Sequence, residues 1–202
     1  MTTTPPARHR PPDTTATRAA DAVCARYADG PLAAHSLRSY LWAAEYAVRR
    51  GIDHDAEVLY VAALVHDLGL VPAFDVAGPS FEVVGGDLAW VVGTAAGWEA
   101  GRAERARTVA VMHMQDDLDP AVDAESALLQ VGTSADVSGL RVDTFTAAFR
   151  QELFARHPRG DFDARFVAAL RDQAVRKPES SAAAALAGGI AERVAGNRLP
   201  RG

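Results

Sequence analysis

Residues 56–68 read "AEVLYVAALVHDL", and this stretch decides how the rest of the chain is read. Its spacing predicts a helix. Val58, Leu59, Val61, Ala62, Leu64, Val65 and Leu68 make that helix apolar nearly all the way round, so it belongs inside the protein. His66 and Asp67 near its end are then buried with it. An unpaired buried carboxylate costs several kcal/mol, about the stability of a small domain, so Asp67 needs a partner.

Outward from this helix, the sequence predicts one helix after another. Candidates span 17–28, 33–50, 81–97, 102–115, 123–137, 142–156 and 161–175, with a weaker Ala-rich stretch at 181–194. Breakers separate them: "DGP" at 29–31, Gly51, Gly69, "AGPS" at 77–80, "GWEAG" at 97–101, "DP" at 119–120 and "HPRG" at 157–160. No segment alternates convincingly enough to be a strand. The expected fold is an all-α bundle of roughly seven to eight helices. Residues 1–17 are Thr- and Pro-rich without an apolar period and read as a disordered arm. The globular part is expected over 18–180, followed by an Ala-rich helix or tail at 181–202.

Gly85 and Gly86 lie within the expected 81–97 helix, where each costs about 1 kcal/mol relative to Ala. They mark either a close backbone approach beside a site or ordinary tight helix packing.

Composition narrows the function. The chain has 202 residues, 49% hydrophobic and 23% charged, with a net charge of −5. Neither an acidic balance nor the lack of a Lys/Arg run suits a nucleic-acid partner. Cys24 is the single cysteine, so neither an intrachain disulfide nor a cysteine-built zinc site is expected. No signal-like segment or long apolar span suggests export or membrane insertion. The expectation is a cytoplasmic protein acting on a small molecule, without membrane or nucleic acid, and compatible with homo-oligomer formation.

Six histidines can partner Asp67. His9 falls in the arm. His54-Asp55 precedes a helix in a polar stretch and reads as its solvated start. His157 reads as a loop residue. His113 continues the stripe Ala106, Val109, Ala110 and points inward, as a satisfied core histidine also does. His35 opens the 33–50 helix, with Arg38, Ser39 and Trp42 on its face, either as the wall of a polar pocket or as a half-exposed helix start. Asp136 shares a stripe with Leu129, Gly132 and Thr133; alone it reads equally well as an exposed Asp. Together, two imidazoles and two carboxylates facing the interior make a satisfied site around a divalent cation.

The order H … HD … D resembles the HD-domain superfamily of metal-dependent hydrolases. The segments carrying the resemblance are "HSLRSYLWA" (35–43), "ALVHDLGL" (63–70) and "ALLQVGTSADVSG" (127–139). The likeness implies an HD-domain helical bundle with His35, His66, Asp67 and Asp136 as metal ligands. It is closer to the cyanamide hydratase branch, through His35-Ser36-Leu37-Arg38, "LVHDLG" (64–69), "FEVVG" (81–85), "FARHPRG" (154–160), "VRKPES" (175–180) and an inward His113. Two departures matter. Leu70 stands where several phosphohydrolases of the superfamily carry a water-activating Glu. Only His113 lies between the HD pair and Asp136, where two-metal members have two His.

One divalent ion is therefore expected. Zn²⁺ is the first choice, and Fe²⁺, Mn²⁺, Co²⁺ and Ni²⁺ also suit the donor set. The first functional reading is hydration of a small nitrile, with cyanamide to urea as the model reaction. Asp67, His113 and Glu82 would handle protons, Arg38 and Ser39 would hold the substrate, and Phe74 and Phe81 in "LVPAFDVAGPSF" (70–81) would roof the site. The alternative is an HD-type phosphohydrolase acting on nucleotides or other phosphomonoesters, with Arg38 on the phosphate. A non-catalytic binding module is the third reading, disfavoured by the intact ligand set.

Overall fold

A computed structural model describes residues 9–200. Ten α-helices and no strand are found among these residues. They are α1 (Thr15–Tyr27), α2 (Gly30–Arg50), α3 (Ala56–Val65), α4 (Phe81–Ala95), α5 (Ala100–Met112), α6 (Ala124–Ser138), α7 (Ala147–Arg156), α8 (Phe162–Arg176), α9 (Ser181–Ala187) and α10 (Ile190–Ala195). None is long and apolar enough to cross a membrane.

The all-α expectation holds, with more helices than anticipated. The Ala-rich stretch is two short helices, because Gly189 turns left-handed (φ +81°) between α9 and α10. The expected 142–156 helix begins instead as a 3-10 turn, Val142–Thr144, before α7.

Local chemistry sets the ends of the helices that carry the site. Asp29 caps α2 through the Leu32 N–H, and Asp55 caps α3 through the N–H groups of Glu57 and Val58. Asp123 caps α6 through the Ser126 N–H. Gly51 and Gly139 close α2 and α6 in the left-handed region that only glycine enters freely.

α3 lies in the centre of the main core. Val58, Leu59, Val61, Ala62, Ala63 and Val65 are all buried there, together with Leu41 and Trp42 of α2 and Leu128 and Leu129 of α6. A second apolar cluster gathers Phe81 of α4, Val137 of α6, Phe162, Phe166 and Leu170 of α8, Ala182 of α9 and Val194 of α10.

Three glycines let backbones meet where side chains would hold them apart. A Cβ on Gly85 of α4 would sit 2.1 Å from the His66 carbonyl oxygen, and one on Gly69 2.3 Å from that of Phe81. A Cβ on Gly132 of α6 would sit 2.1 Å from the Ser39 carbonyl oxygen of α2. No real Cβ survives such distances, so α4 presses on the His66-Asp67 corner and α6 on α2. For Gly85 this is the close approach beside a site. Gly86 faces Arg107 and Val111 of α5 and serves helix packing.

Residues 9–17, expected to belong to a disordered arm, are ordered and packed on the helices. His9 is buried, with Nε2 2.8 Å from Glu45 of α2 and its ring edge-on to Phe149 of α7. Thr14 caps α1, which starts two residues before the expected boundary. Residues 1–8 of the expected arm lie outside the described residues.

Candidate metal centre

α3 ends at Val65, and His66 and Asp67 occupy the corner before the 3-10 turn Leu68–Leu70. The last turn of the sequence-predicted helix is therefore this corner. It releases both side chains from the helix and points them at the N-terminal part of α2, where His35 lies. All three are almost fully buried: His35 is 1%, His66 0% and Asp67 2% exposed.

Their polar atoms converge. Asp67 Oδ2 lies 3.4 Å from His35 Nε2 and 3.3 Å from His66 Nε2. On the other side, Asp67 Oδ1 is 3.6 Å from His113 Nε2. His113 follows the last residue of α5, and its ring stands edge-on to His66 at 4.7 Å.

The opposite ring nitrogens fix the tautomers. His66 Nδ1 donates to the Ala63 carbonyl (2.8 Å) and His113 Nδ1 to that of Ala110 (2.5 Å). His35 Nδ1 donates to Asp136 Oδ2 (2.7 Å). In the neutral rings Nε2 is then the lone-pair nitrogen, and in each case it faces Asp67. His35 Nε2, His66 Nε2 and Asp67 Oδ1 have no hydrogen-bond partner despite complete burial. The two Nε2 atoms converge on Asp67 Oδ2, with Oδ1 turned toward His113, and buried acceptors this close call for a cation or a proton between them.

The fit to a metal is good. His35, His66 and Asp67 each offer a ligand atom, all within 4.8 Å of one another. Separations of 3.3–3.4 Å suit donors that each lie about 2.1 Å from one ion at near-tetrahedral angles. The Nδ1 bonds are of the kind that hold metal-binding imidazoles in orientation.

Asp136, the fourth expected ligand, sits behind His35. Oδ2 accepts from His35 Nδ1 and Arg38 Nη2 (2.8 Å), and Oδ1 from Arg38 Nε (2.7 Å) and Trp42 Nε1 (3.3 Å). Burial alone would raise its pKa, but the Arg38 guanidinium and His35 hold it far below the usual carboxylate range. Its oxygens are thus engaged by protein donors, and Oδ2 meets the cluster at His35 Nδ1.

Arg38 needs a correction of role. It is fully buried, grips Asp136 with Nε and Nη2, and donates Nη1 to the carbonyls of His157 (3.3 Å) and Pro158 (3.0 Å). All three of its nitrogens are engaged by protein acceptors, which leaves at most one Nη2 N–H for a substrate. Ser39 is also buried; its carbonyl lies against Gly132 at the α2–α6 contact, and its Oγ has no hydrogen-bond partner.

The roof divides. Phe81 is buried 5.9 Å from the His113 ring, while Phe74 turns away onto Tyr27 of α1 (4.5 Å). Glu82 follows Phe81 at the start of α4 and is nearly buried; its carboxylate accepts from Ser181 Oγ of α9. Burial raises its pKa, and the Asp67 charge adds to this against the Ser181 hydrogen bond. Burial also lowers the pKa of His113 to about 4, with repulsion from His66 in the same direction. His54, set aside in the sequence, donates Nδ1 to the Ile52 carbonyl (3.1 Å), and Asp55 is occupied with capping α3 and pairing with Arg102.

The C-terminal third contributes what sequence reasoning missed. Phe162 of α8 stacks on the His35 ring with centroids 4.3 Å apart and planes 17° apart. Arg159 and Asn197 both donate to the Asp136 carbonyl, Asn197 at 3.0 Å. Gln173 donates to the Gly69 carbonyl (2.8 Å), and Lys177 Nζ pairs with Asp75 (2.7 Å), pinning the roof. The stripe Phe162, Phe166, Leu170 was the available signal, but it reads as ordinary core.

Residues 32–119 match the family model of the HD domain, a span that contains His35, His66, Asp67, Glu82 and His113. No curated protein matches the chain.

Proposed function

We propose, from the premise that residues 32–119 are an HD domain of the metal-dependent hydrolase superfamily, that this protein hydrates a small nitrile, with cyanamide to urea as the model reaction. The observation that carries this reading is the engagement of Arg38. A phosphomonoesterase needs cationic groups for its substrate. Here Arg38 is committed to Asp136, and the other buried cations of this region, Arg159 and Lys177, to Asp163 and Asp75. What faces Asp67 from the α4–α5 side is apolar or proton-exchanging: Phe81, Glu82 and His113. Such a lining suits a small neutral molecule.

His35, His66 and Asp67 would hold one divalent ion, Zn²⁺ by preference, with Asp136 completing the set through His35 or directly. When bound, that ion lowers the pKa of a water and polarises the nitrile. The chain's own groups move the protons. Asp67 Oδ1 accepts the proton that the attacking water gives up. His113 Nε2, 3.6 Å from Oδ1 and held neutral near pH 7 by burial, would accept a hydrogen bond from the protonated Asp67 carboxyl. Glu82 would pass the proton taken up by Asp67 on to the developing imidate nitrogen, which restores both carboxylates, and would then carry the remaining oxygen-bound proton to nitrogen to complete the amide. Phe81 excludes bulk water from the reacting centre.

The test is a substrate panel. Metal-loaded protein is incubated with cyanamide, with other small nitriles and with nucleoside monophosphates, and urea, amide and phosphate are measured. Urea or amide should form and phosphate should not. Phosphate release that disappears in Asp67→Ala, without nitrile hydration, would reverse the ranking in favour of the phosphohydrolase.

A further inference from the structure

We propose that Phe162, on a helix outside the matched HD segment, is a positioning residue that sets the plane of the metal-binding imidazole of His35. The inference rests on the reading of His35 as a metal ligand.

A ligand imidazole must aim the Nε2 lone pair at the ion, which requires both its direction and its plane to be fixed. The Nδ1 bond to Asp136 fixes one direction in the ring. It leaves the ring free to swing about that hydrogen-bond line. The flat face of Phe162 removes the swing: the rings are nearly parallel and 4.3 Å apart, while His35 and Phe162 are each only 1% exposed.

Phe162 is itself held from the other side. It is the first residue of α8, and Phe166 one turn later stacks beside it at 5.3 Å. The Arg159 and Arg38 guanidiniums lie 5.5 and 5.8 Å from its ring centroid. Arg159 also donates to the Asp136 carbonyl, and Arg38 grips the Asp136 carboxylate. The two supports of His35, one hydrogen-bonding and one stacking, are thus locked to each other. Removing the flat face while keeping apolar volume should loosen the ring and weaken the metal, as losing other groups that orient a ligand does by about 10–100-fold.

The experiment titrates metal-free full-length protein with Co²⁺ against a competing chelator, reading the visible bands of the bound ion. Phe162→Leu should weaken Co²⁺ binding about tenfold and shift the bands. Leu170→Val, a loss of apolar volume about two turns along the same helix and without a ring against His35, should leave affinity and spectrum near wild type. Phe162→Met, with a flexible side chain filling the same space, is the second variant should Phe162→Leu not fold, and the same weakening is expected. Wild-type affinity and spectrum in a folded Phe162 variant overturn the proposal, as does equal weakening by Leu170→Val. Normal Co²⁺ binding by His35→Ala removes its premise. Because turnover is not the readout, a protein that passes this test and hydrates no nitrile would sink the functional reading alone.

Discussion

His35 and Asp136 lie 101 positions apart in the chain and are joined by a buried hydrogen bond of 2.7 Å from Nδ1 to Oδ2. Arg38 closes on the same carboxylate, so one acid orients a metal-site imidazole and neutralises a buried guanidinium. Asp136→Asn keeps the shape but loses the charge. It should weaken metal binding by about 10–100-fold without abolishing it. Asp136→Ala should also destabilise the fold by about 3–5 kcal/mol, because Arg38 is left buried and unpaired. Metal titration and denaturant unfolding of the two variants separate these effects. Complete loss of metal in Asp136→Asn would instead make Asp136 a direct ligand.

Close approach of α4 to the His66 carbonyl predicts an asymmetric glycine series. Gly85→Ala puts a methyl where only 2.1 Å is available, against backbone that cannot give way. A loss of about 3 kcal/mol or more is expected, with reduced metal content. Gly101→Ala in α5 meets nothing within 4 Å and should leave stability unchanged or raise it by up to about 1 kcal/mol. Urea unfolding of the pair checks this, and equal effects would contradict the packing described.

The roof has a pH signature at Asp75. Burial alone would raise its pKa, but Arg176 and Lys177 hold it below the ordinary carboxylate value. Its folded pKa is thus lower than its unfolded value of about 3.9. The clasp contributes its full stability above that value and loses it as pH falls through the folded pKa. Asp75→Asn should cost up to about 1 kcal/mol at pH 7, because the Arg176 side of the clasp is exposed, and variant and wild type should converge as pH falls through the folded pKa of Asp75. A gap that persists at low pH would show that the contact works through shape instead of charge.

Much of this site was legible in the sequence, for a physical reason. An all-round apolar helix carrying His66 and Asp67 has to bury them, and an inward His35 supplies a matching donor. The errors come from partners that spacing does not reveal. Arg38 read as a substrate grip because a cation one turn from a histidine resembles a pocket wall, yet its carboxylate lies 98 positions later. Phe74 and Phe81 share one loop and look equivalent, but the chain turns one of them onto Tyr27. His9 sits among prolines and threonines, and nothing local announces its ion pair with Glu45. Phe162 hides in a regular apolar stripe whose face happens to meet an imidazole.

The most direct test of the central claim is elemental analysis of purified wild-type protein, His66→Ala and His54→Ala. The account predicts one divalent ion per wild-type chain, none in His66→Ala, and one in His54→Ala, because the His54 ring donates to the Ile52 carbonyl away from the cluster. Wild-type metal content in folded His66→Ala, or its loss in His54→Ala, would contradict the site described.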